Sequence, residues 1–267
     1  MSSLPFALAQ LRADVSNFFL LHYSGCDGFL VTGKNSGTHW LKYMLSCAIT
    51  AQYGVAPPER SNGREGDAII GHPRHPRRYQ QLPRLGSSHN LPSRAFVLPG
   101  LRNLLPTRPT VVLVRDIHDA MLSNYLKWRE KYQVDLPEYV RGDPWGRRYV
   151  ADAWWYVHFF NVWGDFAQVH ADKTLVVRYE DLRKDPARWL DLSARRFGIE
   201  LSESSLAAGL EHVERDAIRS RLEAGKREVV PDEAARARIA FSPADNAVLR
   251  DILRRNLRHD FGYGYLG

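Results

Sequence analysis

Two short stretches of this 267-residue chain carry residue types and spacings suited to holding a multiply charged anion. The first is Thr32-Gly33-Lys34-Asn35-Ser36-Gly37-Thr38-His39-Trp40, a Gly, Ser and Thr rich loop between an apolar run and a helical pattern. Glycines let backbone N–H groups approach an anion closely, and a helix N-terminus adds partial positive charge. Lys34, Ser36, Thr38 and His39 can add side-chain donors. An ordinary strand-to-helix turn would use the same residues, and the Walker A spacing GxxxxGK[ST] is absent. The second stretch, RDIHDAMLSNY from Arg115 to Tyr125, sets Arg115 directly after an apolar run and Ser123 two helical turns on. A guanidinium there can grip a phosphate in bidentate fashion. The competing use of Arg115 is an ion pair with Asp116 or Asp119.

Three segments share the layout that must position such groups: apolar strand, polar turn, helix. They are GFLVT (28–32) with a helix from about Trp40, TVVLV (110–114) with a helix to about Trp128, and TLVV (174–177) with a helix to about Phe197. Continuous β-branched runs alternating with helices predict a parallel sheet covered on both faces. Ligands in such sheets bind outside the carboxyl ends of the strands. Leu41, Met44, Leu45 and Ala48 fall on one helical face. Trp155, Phe159, Val162 and Phe166 make one stripe of a further helix, and Tyr156, Phe160 and Trp163 another, which predicts deep burial and a packing role for Trp154 to Trp163. The proline-dense stretch Tyr53 to Pro109 reads as loops and short helices, and its basic bunch Arg74 to Arg84 as acceptor cover or solvated surface. From Leu201 on the pattern is helical, with a basic loop at Arg219 to Val230. No repeat or low-complexity tract divides the chain, so one domain over 1–267 is expected.

With these residues in view, the chain resembles the PAPS-dependent sulfotransferases of cytosolic type, PAPS being 3′-phosphoadenosine-5′-phosphosulfate. Three family motifs match in order: PKSGTTW at Lys34 to Trp40, R-D-x-x-D-A-x-x-S-x-Y at Arg115 to Tyr125, and V-x-R-Y-E-D-L-x-x-D-P at Val176 to Pro186. A fourth, K-T-H-x-x-P-like, has Ser88-His89-Asn90-Leu91-Pro92 in the matching place. The resemblance implies a three-layer P-loop-type α/β fold with a central parallel sheet and helices on both faces. It implies that Lys34, Asn35, Ser36, Gly37, Thr38 and His39 surround the 5′-phosphosulfate, that Trp40 and Tyr179 flank the adenine, and that Arg115 and Ser123 hold the 3′-phosphate. His89 would be the general base for the acceptor hydroxyl, a role suited to a group titrating near neutrality. The product would be PAP, with no metal required. Two departures stand out. Asn35 occupies the position of the family's catalytic lysine, with Lys34 one residue earlier, and the late R-K-G motif is degenerate, leaving Arg219, Arg221, Lys226 and Arg227 as candidates to complete the 3′-phosphate grip.

Bulk properties agree with a nucleotide-binding enzyme. Net charge is +7, from 37 Lys plus Arg against 30 Asp plus Glu, which favours an anionic partner. No nucleic-acid signature accompanies it, so no nucleic acid is expected. No run approaches the roughly eighteen apolar residues of a membrane span, and Val15 to Leu21 lacks the flanks of a signal peptide, so it reads as part of a packed N-terminal helix. Cys26 and Cys47 cannot form a disulfide framework, and a reducing, cytoplasmic setting fits. His72 and His75 are separated by Pro73, which argues for a surface loop over a helical metal pair. The acceptor is expected to be a small-molecule or lipid-like hydroxyl compound. The alternatives are an ATP-using kinase and a catalytically silent PAP-binding protein.

Overall fold

The computed structural model describes residues 4–60, 66–72, 74–75, 77–211 and 239–267. Five parallel strands form one sheet in the order β2-β3-β1-β4-β5: β1 (Gly28–Thr32), β2 (Ile70–Gly71), β3 (Leu85–Ser88), β4 (Thr110–Val114) and β5 (Thr174–Arg178). Alternate side chains of the central strands feed two separate cores. Phe29, Val31, Val112 and Val114 join one hydrophobic cluster; Leu30, Val111 and Leu113 join the other. A strand buried on both faces has no place for polar alternation, so GFLVT and TVVLV are continuous apolar runs. The result is a three-layer α/β sandwich.

The helices follow the strands. In chain order they are α1 (Leu4–Ser16), α2 (Phe19–His22), α3 (Thr38–Gln52), α4 (Ile117–Tyr132), α5 (Leu136–Arg141), α6 (Ala153–Val169), α7 (Tyr179–Lys184), α8 (Pro186–Arg196), α9 (Glu203–Leu210) and α10 (Pro243–Asn256). Helix α3 packs on the Leu30 side through Leu41, Met44, Leu45 and Ala48, the predicted face. Helix α6 carries both aromatic stripes into the Phe29 side, and Trp163, Phe159 and Phe166 are fully buried there. No helix among the described residues is long and apolar enough to cross a membrane.

The proline-dense stretch departs from expectation. Loops and short helices are expected over 53–109, and a short 3-10 turn does form at Arg94–Phe96, yet β2 and β3 also lie within it. Leu85-Gly86-Ser87-Ser88 is too short and too poor in β-branched residues to register as a strand. It is extended because β1 offers a complete ladder, with Gly28 opposite Leu85 and Val31 opposite Ser88. That register brings the carboxyl end of β3, and so His89, beside Thr32.

Candidate active site

Between β1 and α3 the loop turns back on itself through two left-handed residues, Asn35 at φ 59° and Gly37 at φ 91°. Asparagine tolerates this conformation; at Gly37 a side chain is also excluded by space, since a Cβ would stand 2.7 Å from the Tyr179 ring. Gly37, the N-cap of α3, has no side chain with which to cap the helix, so the start of α3 is open to an acceptor from outside it. Ser36 is buried, while Thr38, His39 and Trp40 are half-buried in this first turn. The loop thus forms a cradle of N–H and hydroxyl donors at a positive helix end.

One wall of the cradle is Tyr179, at the start of α7, whose ring meets Trp40 edge-on with centroids 5.7 Å apart. Arg115, at the carboxyl end of β4, lies over the same ring at 4.7 Å. Its guanidinium donates to the Asn35 carbonyl at 3.1 Å and to Ser123 Oγ at 3.4 Å. It also pairs with Asp119 at 3.2 Å, so the expected ion pair and the expected link to Ser123 both exist. Arg115 Nε is buried with no partner among the described residues, an unmet donor that fits an anion in the cradle.

Across the sheet, His89 Nδ1 lies 2.7 Å from the Thr32 carbonyl and 3.1 Å from Thr32 Oγ1, which contacts Thr38 Oγ1 at 2.6 Å. A carbonyl can only accept, so Nδ1 carries the proton and Nε2 keeps its lone pair. His89 is exposed as a residue, while Nδ1 is held against the protein by these Thr32 contacts. Desolvation holds the imidazole below its ordinary pKa; the Thr32 carbonyl opposes the shift, and the positive charges of Lys34, Lys127 and Lys42 add to it.

Lys34 and Asn35 take opposite directions. The Lys34 ammonium donates to the Val150 carbonyl at 2.5 Å and sits 4.7 Å over the Trp155 ring, and burial lowers its pKa against the pull of Asp152. Asn35 is turned inward instead. Its Oδ1 accepts from buried Asn124 at 2.9 Å, and Asn124 Oδ1 in turn accepts from Tyr132 at 2.6 Å, while the Tyr139 hydroxyl beside it donates to the Ala151 carbonyl at 2.8 Å. A polar cluster, closed on itself, therefore fills the space beside the position where the resemblance expects a lysine.

Several of these positions have no signal in the motifs. Lys127 lies one turn beyond Ser123 on α4, and its pKa is lowered by burial. The C-terminal segment is another. Gly164 of α6 admits His259 so closely that a Cβ would stand 2.2 Å from the imidazole, and His259 then bonds Asp165 at 2.7 Å. From that anchor the chain runs back to the cradle, where Tyr265 donates to Asp116 at 2.6 Å and Tyr263 donates to Glu180. Glu180 accepts from the Asp116 N–H at 3.2 Å, so the turn holding Arg115 is braced from two sides. Asp116 and Glu180 stand in the two motifs and could have been singled out; the tyrosines follow no periodicity.

Other expected positions are resolved differently. Arg221, Lys226 and Arg227, with Arg219, lie outside the described residues. His75 pairs with Asp67 at 3.4 Å and His72 packs edge-on against Tyr23. Within the basic bunch, Arg77 and Arg84 line a small cavity with Asp67 and His72, away from His89. Asp116, His118 and Asp119 hold ligand-type atoms within 4.8 Å of one another, but Asp116 is engaged by Tyr265 and Asp119 by Arg115. Of the aromatic cluster, Tyr156 to Trp163 is core as expected, whereas Trp154 and Trp155 are half-buried, packed against that core on one side and lining a cavity on the other.

A family model described as the sulfotransferase domain matches residues 26–233. Among solved structures, mouse sulfotransferase SULT7A1 complexed with PAP superposes with a TM-score of 0.53 at 16% identity, covering 98% of this chain and 92% of that one. Retinol dehydratase in complex with androsterone and the inactive cofactor PAP gives 0.53 at 17% identity, covering 97% and 88%. At such identities the likeness is one of fold. No curated protein matches the chain.

Proposed function

The chain belongs to the sulfotransferase domain family, and from that premise we propose that it moves a sulfuryl group from PAPS to the hydroxyl of a small-molecule or lipid-like acceptor, with His89 as general base. The observation that carries this reading is convergence. The donor cradle at 33–38, Arg115 with Ser123, the Trp40–Tyr179 pair and His89 come from four separate segments and meet at the carboxyl edge of β1, β3, β4 and β5. That the structures with this fold named above contain PAP supports the choice of nucleotide.

PAPS, when bound, supplies an activated sulfur whose bond to phosphate oxygen is the one to break. The chain's residues do the rest. The loop N–H groups, Ser36 and Thr38 hold the 5′ end, and Arg115 with Ser123 holds the 3′-phosphate, with the unmet Arg115 Nε available to it. Trp40 and Tyr179 present ring faces to the adenine. His89 accepts the hydroxyl proton at Nε2 as the acceptor oxygen bonds to sulfur, and its Nδ1–H stays fixed on Thr32. Charge on the departing phosphate oxygen is met by fixed loop dipoles. With Asn35 engaged by Asn124, the nearest cation offered by this loop is Lys34, which a rotation of its flexible stem would bring off Trp155. Two buried cysteines outside any disulfide, Cys26 and Cys47, fit a reducing cytoplasmic setting, and a single domain over 1–267 fits the continuous sheet.

Calorimetric titration with PAP, with ATP in parallel, tests the nucleotide assignment. Binding of PAP with a clear preference over ATP is the expected result; binding without regard to the 3′-phosphate would overturn it. Product formation dependent on PAPS then tests the transfer itself.

A further inference from the structure

A cavity of about 480 Å³ lies between α1, the loop 144–147 and the first turn of α6, a size that accommodates a drug-like molecule. Phe6, Leu91, Trp154 and Trp155 give it apolar and aromatic walls, while Arg12 and Arg147 stand at its mouth, both exposed. No carboxylate is among the residues that line it. Phe6 is fixed against Trp154, with ring centroids 5.1 Å apart, so the aromatic wall is already assembled.

Two features place this cavity next to the reacting centre, His89 itself not being among its lining residues. Leu91 follows His89 by two residues in a segment whose Asn90 carbonyl accepts from Trp163 at 3.1 Å. Trp155 carries the Lys34 ammonium over its ring. Arg147 is itself set in place, its guanidinium 5.4 Å over the Trp145 ring, and it makes no ion pair among the described residues. Its backbone N–H is fixed by Asp143 at 2.8 Å. A ligand that fills the cavity with apolar rings therefore meets the Arg147 guanidinium at the mouth, with no carboxylate among the lining residues.

We propose that the acceptor is an apolar, ring-bearing alcohol or phenol that also carries a carboxylate. Its rings lie between Phe6, Trp154 and Trp155, its hydroxyl faces His89, and its carboxylate pairs with Arg147, with Arg12 adding positive charge from the facing helix. This inference rests on the sulfuryl-transfer reading and names the acceptor's chemistry. A neutral acceptor of the same shape fills the same apolar volume but gives the Arg147 guanidinium no counter-charge, so charge, not size, discriminates.

The test uses two probes of matched shape, 6-hydroxy-2-naphthoate and 2-naphthol, titrated calorimetrically into the full chain with and without PAP. The carboxylate probe is expected to bind about tenfold more tightly, the factor one charge-assisted hydrogen bond supplies. Arg147→Ala is expected to erase that preference by weakening only the carboxylate probe, and Arg147→Lys to restore part of it. Equal affinities in the unmodified protein, a preference surviving in Arg147→Ala, or binding of neither probe would overturn the proposal. Absence of PAP binding in the same samples would instead sink the transfer reading, whatever the probes do, so the two failures are separable.

Discussion

Around the cradle at 33–38, polar side chains engage one another both locally and across the fold: Arg115 with Asp119 and Ser123 and Asn124 with Tyr132 nearby in sequence, Asn35 with Asn124 and Asp116 with Tyr265 far apart in it. Around the cavity beside α1 the walls are instead rings in van der Waals contact, with cations at an open mouth. The first arrangement holds one geometry, because a displaced partner leaves a buried polar group unsatisfied. Apolar walls accept shape changes at lower cost. A rigid anion cradle beside a more adaptable apolar cavity suits an enzyme with one fixed donor and an acceptor selected by fit and charge.

The contrast can be broken most severely at the catalytic base. His89→Ala is expected to lower turnover by about 10²–10⁴-fold while calorimetry shows PAP affinity unchanged; full activity would remove His89 from the mechanism. Next in size is Arg115→Ala, which leaves the nucleotide without its main cation. Removing one partner of a close charge pair costs on the order of 2–5 kcal/mol, so PAP binding should weaken by roughly a hundredfold. Asn124→Ala probes the closed network itself. It strips Asn35 and Tyr132 of a shared partner, and a cost of about 1–3 kcal/mol should appear as a melting temperature lower by several degrees. A melting temperature that does not move would show that the network contributes little to stability.

The pH profile sharpens the comparison more gently. His89 acts only when neutral, and its pKa is held below the ordinary value of about 6.5. Activity should therefore be lost as pH falls through a midpoint below 6.5 and be fully present above it. Lys127→Met removes one of the cations that favour the neutral ring, so the midpoint should rise, though only in part, since burial is the larger cause. On the acceptor side, Phe6→Ala should weaken the naphthol probe several-fold by exposing Trp154, with PAP affinity unaltered.

Much of the site was legible because its parts are local. A β-branched run followed by Gly33 to Thr38, or by Arg115-Asp116, carries strand, turn and helix in one short window, and the ligand-facing residues sit inside it. β3 was not legible: Leu85-Gly86-Ser87-Ser88 has no strand pattern of its own, and only the ladder to β1 extends it. Trp154 and Trp155 share the helical spacing of the core residues that follow, and nothing in that spacing says that they also line a cavity.

What the sequence determined by itself is the three strand–turn–helix units in chain order, the burial of their central strands on both faces, the anion-binding turns and the family resemblance, all properties of neighbouring residues. Tertiary structure alone decided that Lys34 rests on Trp155 while Asn35 joins Asn124, that Tyr263 and Tyr265 return to brace Glu180 and Asp116, and that Arg12 meets Arg147 across a cavity. Those contacts join residues up to 149 positions apart, and side-chain partners at such distances are chosen by packing and by the need to satisfy buried polar groups, neither of which leaves a local pattern to read.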